Sequence, residues 1–396
     1  MNVDFSIHDT SLVDHIGPEK IIIIRNPKTK LNSVLVIDNS VYGIPAGGVR
    51  LAKDISLDEI IRLSRAMSLK FCSYRMKVGG AKAGIWGDPL NLDQKSILLT
   101  SFAKSIERYV KNDIYYPGPD MATNDDDLLK MFRVMGAPNL APNKIGMVKN
   151  GVPVEELFTG YGVMYCIHAI YQYLKKDKTQ KPPRILLEGF GKVGTATALS
   201  MMELGYSLNG LSTIDGAIFD EDGLDIEKLL TLKKKFGDKL IHHYNSNNLV
   251  KVEKENLFSL SSEYDIDFII PGARPDVINK KNIDKLNAKA IIPAANIPYE
   301  KGVIEKLEER NIIAFPDFVA NAGEILAILV NKVAKSPDEI FQYIQEKISQ
   351  KTMEVLEKSN QLGISPYKYA ENDALKELTK KLDRNKRNLE KLDKRY

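Results

Sequence analysis

Two lysines in different surroundings carry the first hint of chemistry. Ser56 and Glu59 have capping-box spacing, which predicts a helix over 57–74. On that helix Asp58, Arg62 and Arg65 share one face, and Lys70 falls away from them beside Leu63, Met67 and Tyr74, at the edge of the apolar face. Lys82 follows Gly79-Gly80-Ala81 and precedes Ala83-Gly84, read here as a glycine-rich turn. Small residues let a backbone approach a ligand closely and leave little bulk around the amine. One ammonium can hold a carboxylate; the other, partly desolvated and near a like charge, can give up its proton and act as a base. The plainer alternative stays open on spacing alone: Lys70 snorkels and Lys82 sits in a solvated turn.

A second group is Gly189-Phe190-Gly191-Lys192-Val193-Gly194, which fits G-x-G-x-x-G. It follows an apolar strand over 184–188 and opens a helix reaching 204, the context the motif needs. The first glycine permits the turn, the second admits the pyrophosphate, and the third lets helix and strand pack closely. Phosphate then meets free N–H groups at a helix N-terminus. The next strand ends near Ser212-Thr213-Ile214-Asp215-Gly216. Asp215 there would accept from an adenosine ribose hydroxyl and repel a 2′-phosphate, favouring NAD, while Lys192 in the glycine loop leaves NADP possible.

These groups need a scaffold. The 396 residues suffice for two domains, with an ordinary 43% hydrophobic and 27% charged composition. A net charge of +4 gives no case for nucleic acid. Cys72 and Cys166 lie in apolar helical contexts and suit a reducing compartment. No signal-peptide pattern or membrane-length run is visible, so the chain reads as cytoplasmic. Strands are expected over 20–25 and 33–38 and a helix over 93–110. A short strand precedes Asp120, and an acidic helix start lies at Asn124 and 125–127. The Pro-, Gly- and Asn-rich stretch 138–153 is the candidate boundary. Beyond it, strands over 184–188, 207–212, 267–271, 290–294 and 312–315 alternate with helices, which argues for a parallel sheet. Helices follow from Asn321 on, one starting at Ser336 and one after Ser365, before a charged stretch over 380–396.

Taken in order, GGVR (47–50), MSLK (67–70), GGAKAG (79–84), PGPD (117–120), TGYG (159–162), GFGKVG (189–194), PAANIP (293–298) and PDFVANAGE (316–324) resemble the family of amino-acid dehydrogenases acting on glutamate, leucine, phenylalanine and valine. The resemblance implies an α/β fold in three parts. Residues 1–152 would form a substrate and oligomerisation domain, and 153–325 a doubly wound Rossmann domain. The helical segment 326–396 would pack on the first domain. It implies reversible, NAD- or NADP-dependent oxidative deamination of an L-amino acid to a 2-oxo acid and ammonia, and a homo-oligomer. By resemblance Lys70 binds the α-carboxylate, Lys82 is the catalytic lysine, and Asp120 is its acid–base partner. Gly47 and Gly48 line the substrate. Thr159, Ala294 and Asn296 lie near the nicotinamide, and the Asn321 carbonyl lies near the substrate amine.

Glutamate enzymes of the family place a lysine just before GGxR and a serine a few residues after NAGG. Here those positions are Ala46 and Ile328. A buried γ-carboxylate without partners is costly, whereas an aliphatic side chain gains about 1.5–3 kcal/mol from burial. The expectation is an apolar substrate of the leucine, valine or phenylalanine type. Glutamate is the alternative, with Lys53 as a displaced partner for its γ-carboxylate, and Glu324 departs from the usual NAGG. A second class, a nucleotide-sensing paralogue with little catalysis, is opposed by the joint presence of Lys70, Lys82 and Asp120. The five histidines and scattered acids form no metal-ligand spacing, which excludes a malic-type enzyme.

Overall fold

The computed structural model describes residues 3–141, 145–149, 151–175, 182–330 and 333–393, with side chains described as far as 384. The chain divides into two compact units: residues 1–144 with 372–396, and residues 145–371.

The first unit opens with a hairpin, β1 (Lys20–Asn26) and β2 (Leu31–Ile37). Then come β3 (Pro45–Ala52), α1 (Leu57–Ser73), β4 (Gly79–Trp86), α2 (Leu92–Lys111), β5 (Tyr116–Gly118) and α3 (Asp125–Val134). The sheet order is β1-β2-β4-β3-β5. β4 runs antiparallel to β2 and parallel to β3, so it is an interior strand, buried along its whole length. This corrects the expected glycine-rich turn at Lys82. Two glycines of β4 serve helix packing instead: a Cβ on Gly80 would lie 2.1 Å from Ser68 Oγ, and one on Gly84 2.9 Å from Ile60 Cδ1. They let α1 lie directly on the strand. Periodicity could not show this, because a strand of small residues lacks the bulky β-formers that mark one. The helix starts follow the sequence reading. Ser56 caps α1 by accepting from the Glu59 N–H, and Asn124 with Asp127 forms a capping box on α3.

The second unit begins with a small hairpin, β6 (Val148–Lys149) and β7 (Val152–Pro153), then α4 (Phe158–Leu174). Its main sheet takes strands from β8 (Arg184–Glu188), β9 (Ser207–Thr213), β10 (Gly216–Phe219), β11 (Val250–Val252), β12 (Phe268–Ile270), β13 (Ala290–Ile291) and β14 (Ile313–Ala314). The helices are α5 (Lys192–Leu204), α6 (Ile226–Phe236), α7 (Leu240–His243), α8 (Val303–Glu309), α9 (Asp317–Ala320), α10 (Gly323–Val330), α11 (Pro337–Leu362) and α12 (Pro366–Asp393). The order β11-β10-β9-β8-β12-β13-β14 reverses direction beside β8, the signature of a doubly wound sheet. Five strands are parallel as expected. β10 alone runs against them, because Ile214 and Asp215 form a two-residue turn that sends it back along β9, and β11 pairs antiparallel to β10 and so runs with the rest.

The C-terminal segment departs from expectation. It does not pack on the first unit as a whole: residues to Glu371 belong to the second, and only those from Asn372 on belong to the first. The apolar face of α11 draws it onto α4, where Phe341 packs on Phe158 and Tyr161 (ring centroids 5.7 and 4.7 Å) and Thr352 donates to Cys166 Sγ. Within the first unit, Arg75 pairs with Asp373, and the Tyr42 hydroxyl donates to the Glu377 carbonyl. The passage between units falls at 144/145, inside the Pro- and Gly-rich stretch but earlier than 152. Among the described residues no helix is long and apolar enough to cross a membrane.

Candidate active site

In the first unit, β4 carries Lys82 into the interior, and a buried charge needs a partner. That partner is Asp120, in the loop after β5, with Lys82 Nζ 3.0 Å from Asp120 Oδ1. The second oxygen, Oδ2, accepts from Arg50 Nε at 2.7 Å, and another guanidinium nitrogen of Arg50 donates to Glu59 on α1. Burial alone would push the Asp120 carboxyl up. Lys82 and then Arg50 outweigh it and hold the group well below the usual carboxylate range. Likewise burial works against the Arg50 charge, and the two carboxylates more than offset it.

The loop bearing Asp120 is stitched to β3. The Asp120 N–H donates to Thr123 Oγ1, which donates to the Val49 carbonyl, and the Leu51 N–H donates to the Met121 carbonyl. Gly48 makes the approach possible, since a Cβ there would lie 2.7 Å from Asp120 Cβ and 3.2 Å from Lys82 Nζ. Gly47 lies so close to β4 that a Cβ would meet the Ala81 carbonyl at 1.7 Å, and its own carbonyl accepts from the buried Tyr115 hydroxyl. Lys70 is buried on α1, at 6% exposure, so it does not snorkel to open water. Ala46 is half-buried on β3. Lys53 is half-exposed and pairs with Asp88 at 2.8 Å. Sequence reasoning passed over Arg50, Tyr115 and Thr123 at the site, and took Glu59 only as a capping residue. Only Arg50 left a signal, as the last residue of GGVR.

In the second unit, the glycine loop behaves as its spacing implies. Gly189 has φ +85°, in the left-handed region, and a Cβ on Gly194 would lie 2.0 Å from the Gly189 carbonyl oxygen. A Cβ on Gly191, the N-cap of α5, would meet nothing within 4 Å. That leaves an open face against the free N–H groups of the first turn, which carries no acidic residue. The arrangement fits a dinucleotide phosphate. Phe190 is buried, Val193 half-buried and Lys192 exposed. Glu188 ends β8 and accepts from the Gly272 and Ala273 N–H groups, tying the turn to the loop after β12. Burial pushes its carboxyl up, and those N–H groups only partly offset the shift.

Asp215 is exposed in the hairpin turn rather than at a strand end. Thr213 is the last residue of β9, and its hydroxyl donates to the Asp238 carbonyl. Ala294, Asn296 and Asn321 do come together: the Asn321 amide donates to the carbonyls of Ala294 and Ala295 and, at 3.0 Å, to Asn296 Oδ1. The buried Asn321 Oδ1 has no hydrogen-bond partner among the described residues. Ile297 has φ +48°, a strained conformation for a β-branched residue, and its N–H donates to the buried Asp317. Thr159 lies against Gly323, where a Cβ would be 3.2 Å from Thr159 Cα, so the TGYG and NAGE segments meet. Ile328 on α10 is 58% exposed.

Two family models match the chain. Residues 18–136 match the Glu/Leu/Phe/Val dehydrogenase dimerisation domain, and residues 151–385 match glutamate/leucine/phenylalanine/valine dehydrogenase. The NADP-specific glutamate dehydrogenase of Saccharolobus shibatae is 31% identical over 304 residues, 74% of this chain and 68% of that protein. The catabolic NAD-specific glutamate dehydrogenase RocG of Bacillus subtilis is 28% identical over 356 residues, 86% of this chain and 80% of that protein. Among solved structures, the hetero-hexameric glutamate dehydrogenase of Thermus thermophilus in a leucine-bound form shares the fold, with a TM-score of 0.78 and 19% identity, covering 92% of this chain and 89% of that one.

Proposed function

This chain belongs to the glutamate/leucine/phenylalanine/valine dehydrogenase family and is an NAD(P)-dependent amino-acid dehydrogenase; we propose that it reversibly deaminates an L-amino acid with an apolar side chain to the 2-oxo acid and ammonia. The observation that carries the reading is the buried Lys82–Asp120 pair at 3.0 Å. Lys70 holds the α-carboxylate, and the Gly47-Gly48 backbone lines the substrate. Gly189 to Gly194 hold the dinucleotide phosphates, with Thr159, Ala294 and Asn296 toward the nicotinamide and the Asn321 carbonyl toward the substrate amine. Bound NAD(P) supplies the acceptor for the hydride from the substrate Cα. Water adds to the iminium carbon left behind, and Lys82, having passed its own proton to Asp120, takes up the water proton. Asp120 then returns a proton to the amine nitrogen and takes up the hydroxyl proton of the adduct as the C–N bond breaks, so that the 2-oxo acid and ammonia leave.

The apolar preference rests on Ala46 before Gly47 and Ile328 after NAGE, apolar residues where a γ-carboxylate would need polar partners, while Lys53 pairs with Asp88. Glutamate is the second reading, favoured by the relatives named above. Steady-state rates with leucine, valine, phenylalanine and glutamate, each with NAD and NADP, separate the two. A glutamate preference above about a hundredfold ends the apolar reading. NADH binding with no turnover on any amino acid would instead support a sensing role. The dimerisation-domain match supports a homo-oligomer, and the free, buried Cys72 and Cys166 suit a reducing cytoplasm.

A further inference from the structure

We propose that Arg50 is the positioning residue that decides which oxygen of Asp120 exchanges a proton with Lys82. The inference rests on the dehydrogenase reading of the Lys82–Asp120 pair and goes beyond it. A carboxylate has two equivalent oxygens and can present either. Here Oδ2 is occupied by Arg50 Nε at 2.7 Å, and Oδ1 faces Lys82 Nζ at 3.0 Å. A guanidinium does not surrender its proton in a protein, so Arg50 keeps one lone pair of Oδ2 engaged and leaves Oδ1, which Lys82 faces, as the more basic oxygen. Proton exchange is thereby directed to Oδ1.

The same guanidinium reaches Glu59 on α1, the helix that bears Lys70. Arg50 therefore braces the Asp120 carboxylate against the element that would hold the substrate. A planar fork can span two carboxylates on different elements; a lysine ammonium acts as a point charge and lacks that geometry. The backbone cooperates, since the Thr123 hydroxyl ties the Asp120 loop to Val49, the neighbour of Arg50. The charged and titratable groups facing Asp120 are Lys82 on β4, Arg50 on β3 and Tyr115 just before β5, with Glu59 behind Arg50.

The test compares wild type, Arg50→Lys and Arg50→Met in steady-state kinetics across pH. NMR titration of protein labelled at the aspartate γ-carbon runs in parallel, with the Asp120 signal assigned by its loss in Asp120→Asn. Arg50→Met should lower kcat by about a hundredfold, with little change in the amino-acid KM. It should also move the acidic limb of kcat/KM and the Asp120 resonance toward ordinary carboxylate behaviour by about one pH unit. Arg50→Lys keeps the charge, so it should lower kcat while leaving limb and resonance near wild type, and it covers the case in which Arg50→Met fails to fold. A kcat in Arg50→Lys equal to wild type, or an Asp120 resonance in Arg50→Met superimposable on wild type, overturns the inference. Absence of wild-type turnover on every amino acid sinks the dehydrogenase reading instead, and the resonance still decides the role of Arg50.

Discussion

Lys82 and Asp120 meet at 3.0 Å although they come from different elements, one from the middle of a buried strand and the other from the loop after β5. Both side chains are nearly closed off from solvent, at 3% and 13% exposure. A charge pair in that setting depends on each partner, and removing one leaves the other stranded.

Asp120→Asn should therefore destabilise the protein by about 3 kcal/mol at neutral pH, because Lys82 and Arg50 are left as facing cations. The folded-state carboxyl is depressed, so its stabilisation is complete above the ordinary value of 3.8 and is lost as pH falls through the folded value. Asp14 adds to the same window: burial raises it, but hydrogen bonds from Arg65 and the Ile16 N–H bring it down to about 2. Urea midpoints from pH 7 downward should show the gap between wild type and Asp120→Asn closing below pH 3.8. A constant gap would contradict the assignment.

Gly48→Ala should cost activity more than folding. The added Cβ meets Asp120 Cβ at 2.7 Å and the Pro119 carbonyl oxygen at 2.6 Å, so the loop must shift. A displacement of that size lowers kcat by about a hundredfold. Wild-type kcat in a folded Gly48→Ala would mean that the Lys82–Asp120 spacing is not critical.

The two later glycines of the nucleotide loop should behave differently. Gly194→Ala collides with the Gly189 carbonyl at 2.0 Å and should lower Tm. Gly191→Ala meets nothing within 4 Å and should leave Tm unchanged while weakening NADH binding at least tenfold (about 1.4 kcal/mol). Fluorescence titration with NADH reads the second effect. Unaltered affinity in Gly191→Ala would place the phosphates elsewhere.

Cofactor choice tests the hairpin. Asp215→Lys should raise NADP use relative to NAD by about tenfold if the exposed turn carboxylate sets the preference. No gain would remove Asp215 from the selection and leave Thr213, the true end of β9, as the residue to vary.

Much of this architecture was legible where local chemistry is self-contained. Ser56, Asn124 and Ser336 announce their helices because caps act within one turn. The glycine loop is readable because each glycine answers a local steric demand. What stayed hidden depends on distant partners. β4 looked like a turn because its glycines are shaped by α1 rather than by their own neighbours. The Ile214-Asp215 turn lacks the Asn-Gly or Gly-Gly pair that flags a hairpin. Arg50 carries no local mark of its link to Asp120, seventy positions away. The seat of α11 on α4 is settled by Phe341 and Thr352 meeting residues far back in the chain.

The most direct measurement is NADH formation by wild type and Lys82→Ala on the preferred amino acid, alongside NADH binding to each. The account predicts that wild type releases ammonia in step with NADH. Lys82→Ala should lose about a thousandfold or more of that rate while binding NADH nearly as well. Turnover of Lys82→Ala at the wild-type rate would contradict it.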